Sequence, residues 1–386
     1  MKKQIVVLGS TGSIGKQTLH VIQANHDSMS VLALCAGKNV KLLMEQARRF
    51  QPRYVASEAP IDAAQLPAGT KLLTGEHAIE LCASLAEADV VVNAISGFAA
   101  LQPLLAALRA GKRVALANKE SIVCGGVLVD WTLERYGGQL LPVDSEQAAI
   151  FQCLQDNRHD DVSTLTLTAS GGPFWRRPLE ALKDVTLEQA LMHPTWQMGN
   201  KITIDSATLF NKGLEIIEAA YLFHFNADQI HVLIHPESIV HSMVTFQDGV
   251  TMANLSCPDM RLPIQYAITY PERWPCICAP LKLEELGALH FHKVDQNRFG
   301  AIRMAYDVLR AGGSMPIAYN AANEVAVAAF LEERIRFMDI ECIVDDTLNK
   351  YTGTAPNTIE EITQADIHAR AIAKICIAAV AERRLS

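Results

Sequence analysis

The chain has 386 residues, 49% hydrophobic and 20% charged, so it can build more than one core and is not disordered. Its 34 Lys and Arg against 42 Asp and Glu give a net charge of −8, which argues against nucleic-acid or anionic-membrane binding. The sequence has no run of about 18 apolar residues, which is the length that predicts a membrane span. Nine cysteines without metal-binding spacing suit the reducing cytoplasm, and no leader before the first strand favours a cytoplasmic protein.

Short apolar runs alternate with amphipathic segments in the first part of the chain. The apolar runs predict strands at 4–8, 31–36, 89–95, 113–118 and 138–143. The amphipathic segments predict helices at 13–24, 40–50 and 99–110. This alternation predicts βαβ units and a doubly wound parallel sheet.

The pattern changes after about residue 143. We predict strands at 163–169, 232–234 and 239–246 and a helix at 205–223, which together indicate an α+β region. Prolines punctuate the chain around 262–280, and four helices are predicted at 303–311, 318–333, 339–350 and 364–383. We therefore expect regions at 1–143, 144–265 and 296–386, with a linker at 266–295.

A glycine-rich turn follows the first strand and opens the first helix. Gly9, Gly12 and Gly15 have the spacing G-x-x-G-x-x-G, which lets the backbone approach a pyrophosphate and turns free N–H groups toward it. The alternative is a glycine-rich turn without a ligand. The second strand ends in Gly37-Lys38-Asn39, with a cation and no acid, which favours the 2′-phosphate of NADP unless Lys38 is only a solvated loop residue.

Three carboxylates suggest a site for a hard divalent cation. Asp144 and Glu146 are two residues apart, so in extended backbone they point to the same side; the alternative is a solvated acidic turn. Glu215 follows Asn211 and Lys212 on one face of the 205–223 helix. We expect the three acids to form one site that repels itself without a cation.

Phosphate-binding residues and a lid complete the candidate site. Ser206 is expected near a helix start, where amides favour phosphate, with Asp205 only a structural cap. The Gly- and Pro-rich stretch at about 170–200 predicts a lid, with Trp196 closing over a ligand rather than packing in a core. The remaining histidines, His235, His241, His290 and His292, are interpreted as packing residues.

Seven motifs together are specific: GSTGSIG (9–15), AGKN (36–39), ANKE (117–120), VDSE (143–146), SGGPF (170–174), HPTWQMGNKITIDSATLFNKGLE (193–215) and NAANE (320–324). Across essentially its whole length the chain resembles the 1-deoxy-D-xylulose 5-phosphate reductoisomerase family. The resemblance implies an α/β Rossmann-like NADPH domain, an α+β catalytic domain with a lid, an all-α C-terminal bundle and a bacterial-type homodimer.

The resemblance also implies roles for individual residues. Cofactor contacts fall on Thr11, Gly12, Ser13, Ile14, Gly37, Lys38, Asn39, Asn118, Glu120 and Gly199, and metal ligands on Asp144, Glu146 and Glu215. Substrate contacts fall on Lys119, Ser145, Glu146, Ser170, His193, Trp196, Ser206, Asn211, Lys212 and Glu215, and the catalytic set is Lys119, Asp144, Glu146 and Glu215. The family often has His after VDSE, whereas this chain has Gln147, which puts an acid–base role there in doubt.

The implied reaction converts 1-deoxy-D-xylulose 5-phosphate to 2-C-methyl-D-erythritol 4-phosphate, on the methylerythritol phosphate route to isoprenoids. It requires NADPH and Mg²⁺, Mn²⁺ or Co²⁺. The alternatives are another NADP-dependent dehydrogenase, such as a homoserine dehydrogenase, and a non-catalytic NADP-binding redox sensor. Neither of these functions requires three carboxylates beside the phosphate-binding Ser, Asn and Lys side chains. A phosphorylating semialdehyde dehydrogenase needs a nucleophilic cysteine, and Cys124 and Cys153 lack its signature.

Overall fold

A computed structural model describes residues 2–193, 196, 198–295 and 298–385. It contains two compact units. The first comprises Met1–Ser121, Val127–Ala148 and Asp259–Pro280, and the second Ile122–Gly126, Ala149–Pro258 and Leu281–Ser386. The domain boundaries predicted from the sequence follow changes in the order of predicted helices and strands, whereas the two units are groups of residues that pack together. Those boundaries stay a prediction. No helix in the described part of the chain is long and apolar enough to cross a bilayer.

The elements follow one another along the chain. The strands are β1 Lys3–Leu8, β2 Met29–Ala36, β3 Tyr54–Ser57, β4 Lys71–Leu73, β5 Val90–Asn93, β6 Arg113–Leu116, β7 Gln139–Pro142, β8 Val162–Ala169, β9 Ile230–Ile234, β10 Val240–Phe246, β11 Thr251–Leu255 and β12 His292–Lys293. The helices are α1 Ser13–Ala24, α2 Val40–Phe50, α3 Ala78–Ala83, α4 Leu101–Arg109, α5 Glu120–Tyr136, α6 Ser145–Cys153, α7 Leu187–Leu191, α8 Asn200–Ala207, α9 Phe210–Phe223, α10 Arg261–Thr269, α11 Leu283–Leu286, α12 Ala301–Ala311, α13 Met315–Leu331, α14 Asp339–Lys350 and α15 Ile359–Leu385.

The first unit is built on a seven-stranded parallel sheet with the order β4-β3-β2-β1-β5-β6-β7. Ile5, Val6, Val7 and Leu8 of β1 are fully buried between β2 and β5, as expected where helices cover both faces of a parallel sheet. The strand order reverses beside β1. The carboxyl end of β1 is therefore the place where a doubly wound fold opens a ligand crevice, and the predicted doubly wound sheet is confirmed.

The second unit combines a mixed sheet with the C-terminal helices. The sheet has the order β11-β10-β8-β9-β12; β8 and β9 are parallel, and the other pairs are antiparallel. Residues of β8, α9, α12, α13 and α14 contribute to one continuous hydrophobic core. The predicted α+β region and helical bundle are confirmed, and they share that core.

Two local expectations are wrong. The helix predicted at 205–223 is two helices, because Leu209 takes a left-handed conformation (φ 63°) between α8 and α9. Ser206 therefore lies in the last turn of α8 and not at a helix start. The segment after β7 is helical from Ser145 onward, so Asp144 and Glu146 do not share one side of an extended strand.

Some elements lack a clear sequence signal. Strands β3, β4 and β11 are short, and helix α5 is kinked at Gly125, where φ is −126°. The linker predicted at 266–295 contains the end of α10, then α11 and β12. These elements escape periodicity because each is short or interrupted.

Candidate active site

The turn after β1 depends on two glycines that no larger residue can replace without movement. Gly9 has φ +75°, and a Cβ there would lie 2.5 Å from the carbonyl oxygen of Ala94. A Cβ at Gly15 would lie 2.3 Å from the carbonyl oxygen of Gly9. Helix α1 therefore starts directly against the turn, as the fingerprint of a dinucleotide site requires.

The start of α1 offers backbone N–H groups to a ligand, because the first turn of a helix has no intrahelical acceptors for them. Gly12 precedes the helix, makes no side-chain cap, and is followed by no acid in the first turn. Four of the predicted cofactor contacts lie here: Thr11 and Gly12 directly before the helix, and Ser13 and Ile14 in its first turn. A helix start without a cap and without negative charge is suited to an anionic phosphate.

The end of β2 carries the predicted adenosine-side residues. Lys38 is exposed, and the side chain of Asn39 caps α2 by accepting the Leu42 N–H at 3.2 Å. Glu58, from the end of the neighbouring strand β3, lies beside Gly37, where a Cβ would be 3.2 Å from its Oε2. No acid lies in the tip of β2 itself, and Glu58 could not be predicted from that segment because it follows another strand.

A second polar group in the first unit surrounds the start of α5 and the end of β7. The buried Lys119 Nζ forms an ion pair with Oδ2 of the half-buried Asp144 at 2.8 Å. Asn118 donates to Glu120 Oε2 at 2.7 Å, and Ser145 Oγ donates to Glu146 Oε2 at 2.5 Å. The structure thus brings together six predicted site residues and supplies Asp144 with a positive partner. We expected the acids to repel one another without a cation, and that expectation did not include Lys119.

In the second unit, one histidine joins two predicted phosphate-binding serines. His193 Nε2 lies 3.1 Å from Ser170 Oγ and 3.0 Å from Ser206 Oγ. The backbone N–H of Trp196 donates to His193 Nδ1 at 2.9 Å, so the neutral ring carries its proton on Nε2. Burial lowers the pKa of His193 from 6.5 to about 4, which keeps the ring neutral near pH 7.

Helix α9 carries the third predicted group. Lys212 pairs with Glu215, and Asn211 donates to the same carboxylate, as the predicted spacing on one helix face requires. Lys212 Nζ also donates to the Thr168 carbonyl oxygen at 2.5 Å, two residues before Ser170. Glu215 is fully buried, so a charge of either sign in this group needs its partner.

Only part of the predicted lid is described. Trp196 is half-buried, with its ring centroid 6.4 Å from that of His241, and Gly199 is exposed immediately before α8. Pro194, Thr195 and Gln197, which belong to the motif used for the lid, lie outside the described residues. Two short elements, a turn of 3₁₀-helix at Leu179–Asp184 and α7, lie within the 170–200 stretch.

Family models match most of the chain. The models are described as 1-deoxy-D-xylulose 5-phosphate reductoisomerase over residues 5–126, its C-terminal domain over 140–223, and DXP reductoisomerase C-terminal domain over 255–372. The 1-deoxy-D-xylulose 5-phosphate reductoisomerase of Pelotomaculum thermopropionicum is 49% identical, covering 95% of this chain and 97% of that protein. That of Chlorobium phaeobacteroides is 48% identical, covering 96% and 98%.

The chain belongs to the 1-deoxy-D-xylulose 5-phosphate reductoisomerase family. Crystal structures of reductoisomerases have the same fold. One, in complex with NADPH, fosmidomycin and magnesium, is 39% identical with a TM-score of 0.92 and covers 97% of this chain and 98% of that one. Another, from Zymomonas mobilis in complex with NADPH, is 40% identical with a TM-score of 0.90 and covers 98% and 99%.

One buried network in this chain was missed from the sequence. Asp205, interpreted only as a structural cap, accepts from Lys201 and from Asn323 of the NAANE motif, both at 2.9 Å. The i, i+4 spacing of Lys201 and Asp205 is a signal that could have found the first contact. No local pattern could have found Asn323, because it lies 118 residues from Asp205.

Proposed function

We propose that this chain catalyses the NADPH- and divalent-metal-dependent rearrangement and reduction of 1-deoxy-D-xylulose 5-phosphate to 2-C-methyl-D-erythritol 4-phosphate. The observation that carries the proposal is near-full-length identity of 49% to a reductoisomerase, with the nucleotide turn and both lysine–carboxylate groups present. The activity makes the chain an oxidoreductase of isoprenoid precursor synthesis. Its small-molecule substrate is a sugar phosphate.

The nucleotide turn would hold NADPH. Its pyrophosphate would lie on the uncapped start of α1, at Thr11, Gly12, Ser13 and Ile14. Lys38, with Gly37 and Asn39, would bind the 2′-phosphate, since the lysine is exposed at the end of β2. The remaining proposed contacts are Asn118, Glu120 and Gly199.

Asp144, Glu146 and Glu215 would hold the divalent cation. Carboxylate oxygens are the ligands preferred by Mg²⁺ and Mn²⁺, and the donor set of two half-buried acids and one buried acid fits that chemistry. A bound cation supplies Lewis-acid polarisation of neighbouring carbonyl and hydroxyl oxygens on the substrate. Lys119 balances Asp144 and Lys212 balances Glu215, so the protein itself compensates the charge of two of the three acids.

The chain's own side chains would position the substrate. Ser170, Ser206, Asn211 and Lys212 would bind its phosphate, with the neutral His193 ring orienting the two serine hydroxyls. Lys119 would orient the reacting oxygens through its ammonium group, beside Ser145 and Glu146. Trp196 would cover the substrate and exclude water. Binding energy from the phosphate can thereby be used at the reacting carbons.

The proposed assembly is a homodimer in the cytoplasm. Strand β11 is an edge of the second unit's sheet, and Met252 and Leu255 on it are exposed. An edge strand with exposed apolar side chains supports pairing with a second copy of the chain. All nine cysteines are free thiols, which supports a reducing compartment. Sedimentation equilibrium tests the assembly, and a monomeric mass at micromolar protein would contradict it.

The activity is tested by following NADPH absorbance with 1-deoxy-D-xylulose 5-phosphate, with and without a chelator. We expect consumption that stops with EDTA and returns with Mg²⁺ or Mn²⁺. Consumption unaffected by chelator would overturn the metal assignment. NADPH binding without turnover of the sugar phosphate would favour a redox sensor over an enzyme.

A further inference from the structure

A negative charge is buried at an unfavourable place in helix α8. Asp205 is 1% exposed and lies in the last turn, where the helix dipole disfavours an anion. Lys201, one turn earlier, donates to its Oδ2, and Asn323 of helix α13 donates to its Oδ1, both at 2.9 Å. The carboxylate is therefore stabilised by two specific hydrogen-bond donors, which lie on two different helices.

Asn323 carries a cost of its own. It is fully buried, and its Oδ1 has no hydrogen-bond partner in the described part of the chain. An unsatisfied buried carbonyl and a buried carboxylate each lower stability relative to apolar residues of similar size. Stability alone therefore does not explain why the chain has Asp205 and Asn323 at these positions.

The same face of α13 contacts both helices that carry the proposed phosphate-binding residues. Tyr319, one turn before Asn323, packs so closely on Gly213 of α9 that a Cβ there would lie 2.0 Å from the tyrosine oxygen. Asn323 bonds to α8 at the residue before Ser206. Ser206 in turn contacts His193, which also contacts Ser170.

We propose that Asp205 and Asn323 are positioning residues for the substrate phosphate. Their hydrogen bond holds the last turn of α8 against α13 and so places the Ser206 hydroxyl where it meets His193 and Ser170. The inference rests on the proposed function, because the proposed function makes these serines phosphate-binding groups. Neither residue contacts the substrate itself.

The test compares the variants Asp205→Asn and Asn323→Asp with the exchanged pair that carries both. We expect each single change to lower kcat/KM for 1-deoxy-D-xylulose 5-phosphate tenfold or more, and to leave the Kd for NADPH within twofold. The exchanged pair restores an amide–carboxylate hydrogen bond between α8 and α13, so it should recover most of kcat/KM. The assays are carried out well below the melting temperatures of the variants. If both single variants keep the kcat/KM of the unaltered chain, the pair is only structural and the proposal is overturned. Failure of the exchanged pair to recover kcat/KM also overturns it.

Asn320→Asp is the matched control. Asn320 is equally buried on α13, and its amide donates within the same helix to Glu324 at 3.2 Å. This variant should lose thermal stability while its kcat/KM stays within twofold. A tenfold loss of kcat/KM in it would assign the effect to general destabilisation of α13 and overturn the proposal.

A second measurement separates this inference from the proposed activity. Inorganic phosphate binding is followed by thermal shift for the unaltered chain and the same variants. Weaker phosphate binding in both single variants, recovered in the exchanged pair, supports the positioning role even if the unaltered chain does not turn over the sugar phosphate. Equal phosphate affinity in all variants overturns it, whatever the activity.

Discussion

The two proposed binding regions differ in the groups that form them, which are backbone groups in one and side chains in the other. At the nucleotide turn, backbone N–H groups and the absence of Cβ atoms at Gly9 and Gly15 form the site. At the substrate groups, buried side chains such as Lys212 and Glu215 form it, each compensated by a neighbour. The first region should therefore be sensitive to added volume, and the second to a single lost charge.

The largest expected effect is at the carboxylates. Asp144→Asn, Glu146→Gln and Glu215→Gln should each lower turnover about 100-fold or more, because each removes a proposed metal ligand. Steady-state assays over a range of Mn²⁺ concentrations measure the loss. Double variants should lose little beyond the single ones, since a site without one ligand is already nearly inactive.

The carboxylate prediction has two checks. The exposed Glu284→Gln is the control for a neutralised acid, and it should retain full turnover. In crystals soaked with Mn²⁺ and ligand, anomalous density should lie about 2.0–2.3 Å from oxygens of all three acids. Density on Asp144 and Glu146 with Glu215 more than about 5 Å away would rule out a three-carboxylate site.

Gly15→Ala tests the nucleotide turn through volume alone. The new Cβ would need to lie 2.3 Å from the Gly9 carbonyl oxygen, so the turn must shift away from its binding shape. We expect the Kd for NADPH to rise about 30-fold or more, with a loss of roughly 1–3 kcal/mol in stability from overpacking. Fluorescence titration with NADPH and denaturant unfolding measure both quantities. Unchanged NADPH affinity would show that the turn does not hold the cofactor.

Lys38→Asp should erode the preference for NADPH over NADH tenfold or more. Loss of a charge-assisted contact with the 2′-phosphate costs about 1.5–3 kcal/mol. The ratio of kcat/KM for the two cofactors is the measurement, and Glu58→Gln is the companion variant because Glu58 lies beside Gly37. A Lys38→Asp protein with full NADPH selectivity would mean that another residue binds the phosphate.

The smallest expected effect is a pH dependence of stability from His193. Burial lowers its pKa to about 4 in the folded protein, below the ordinary 6.5, so the unfolded chain binds the proton first as pH falls. The stabilisation from the neutral ring is complete above pH 6.5 and is lost as pH falls toward 4. Urea unfolding from pH 7 to 4 should show this slope, and His193→Gln should flatten it. The exposed His26→Gln is the control, and an unchanged slope in His193→Gln would contradict the assignment.

The difference between the regions also explains what the sequence could predict. Helix α1 and the turn before it follow from glycine spacing and periodicity, and the prediction at 13–24 matches Ser13–Ala24. The division of 205–223 into two helices does not, because Leu209 adopts a left-handed conformation without a glycine or proline to mark it. The partners of the buried charges depend on tertiary contacts such as Asn323 with Asp205, which no local window contains.

That long-range contact has a consequence for how the protein is made. Asp205 leaves the ribosome 118 residues before Asn323, which is about 6–24 s at 5–20 residues per second. For most of that interval the nascent chain contains the residues of α8 and α9 but not those of α13, the helix against which both pack. Completion of the substrate region is thus coupled to the synthesis of α13, and a truncated product that ends before Met315 lacks a main support of that region.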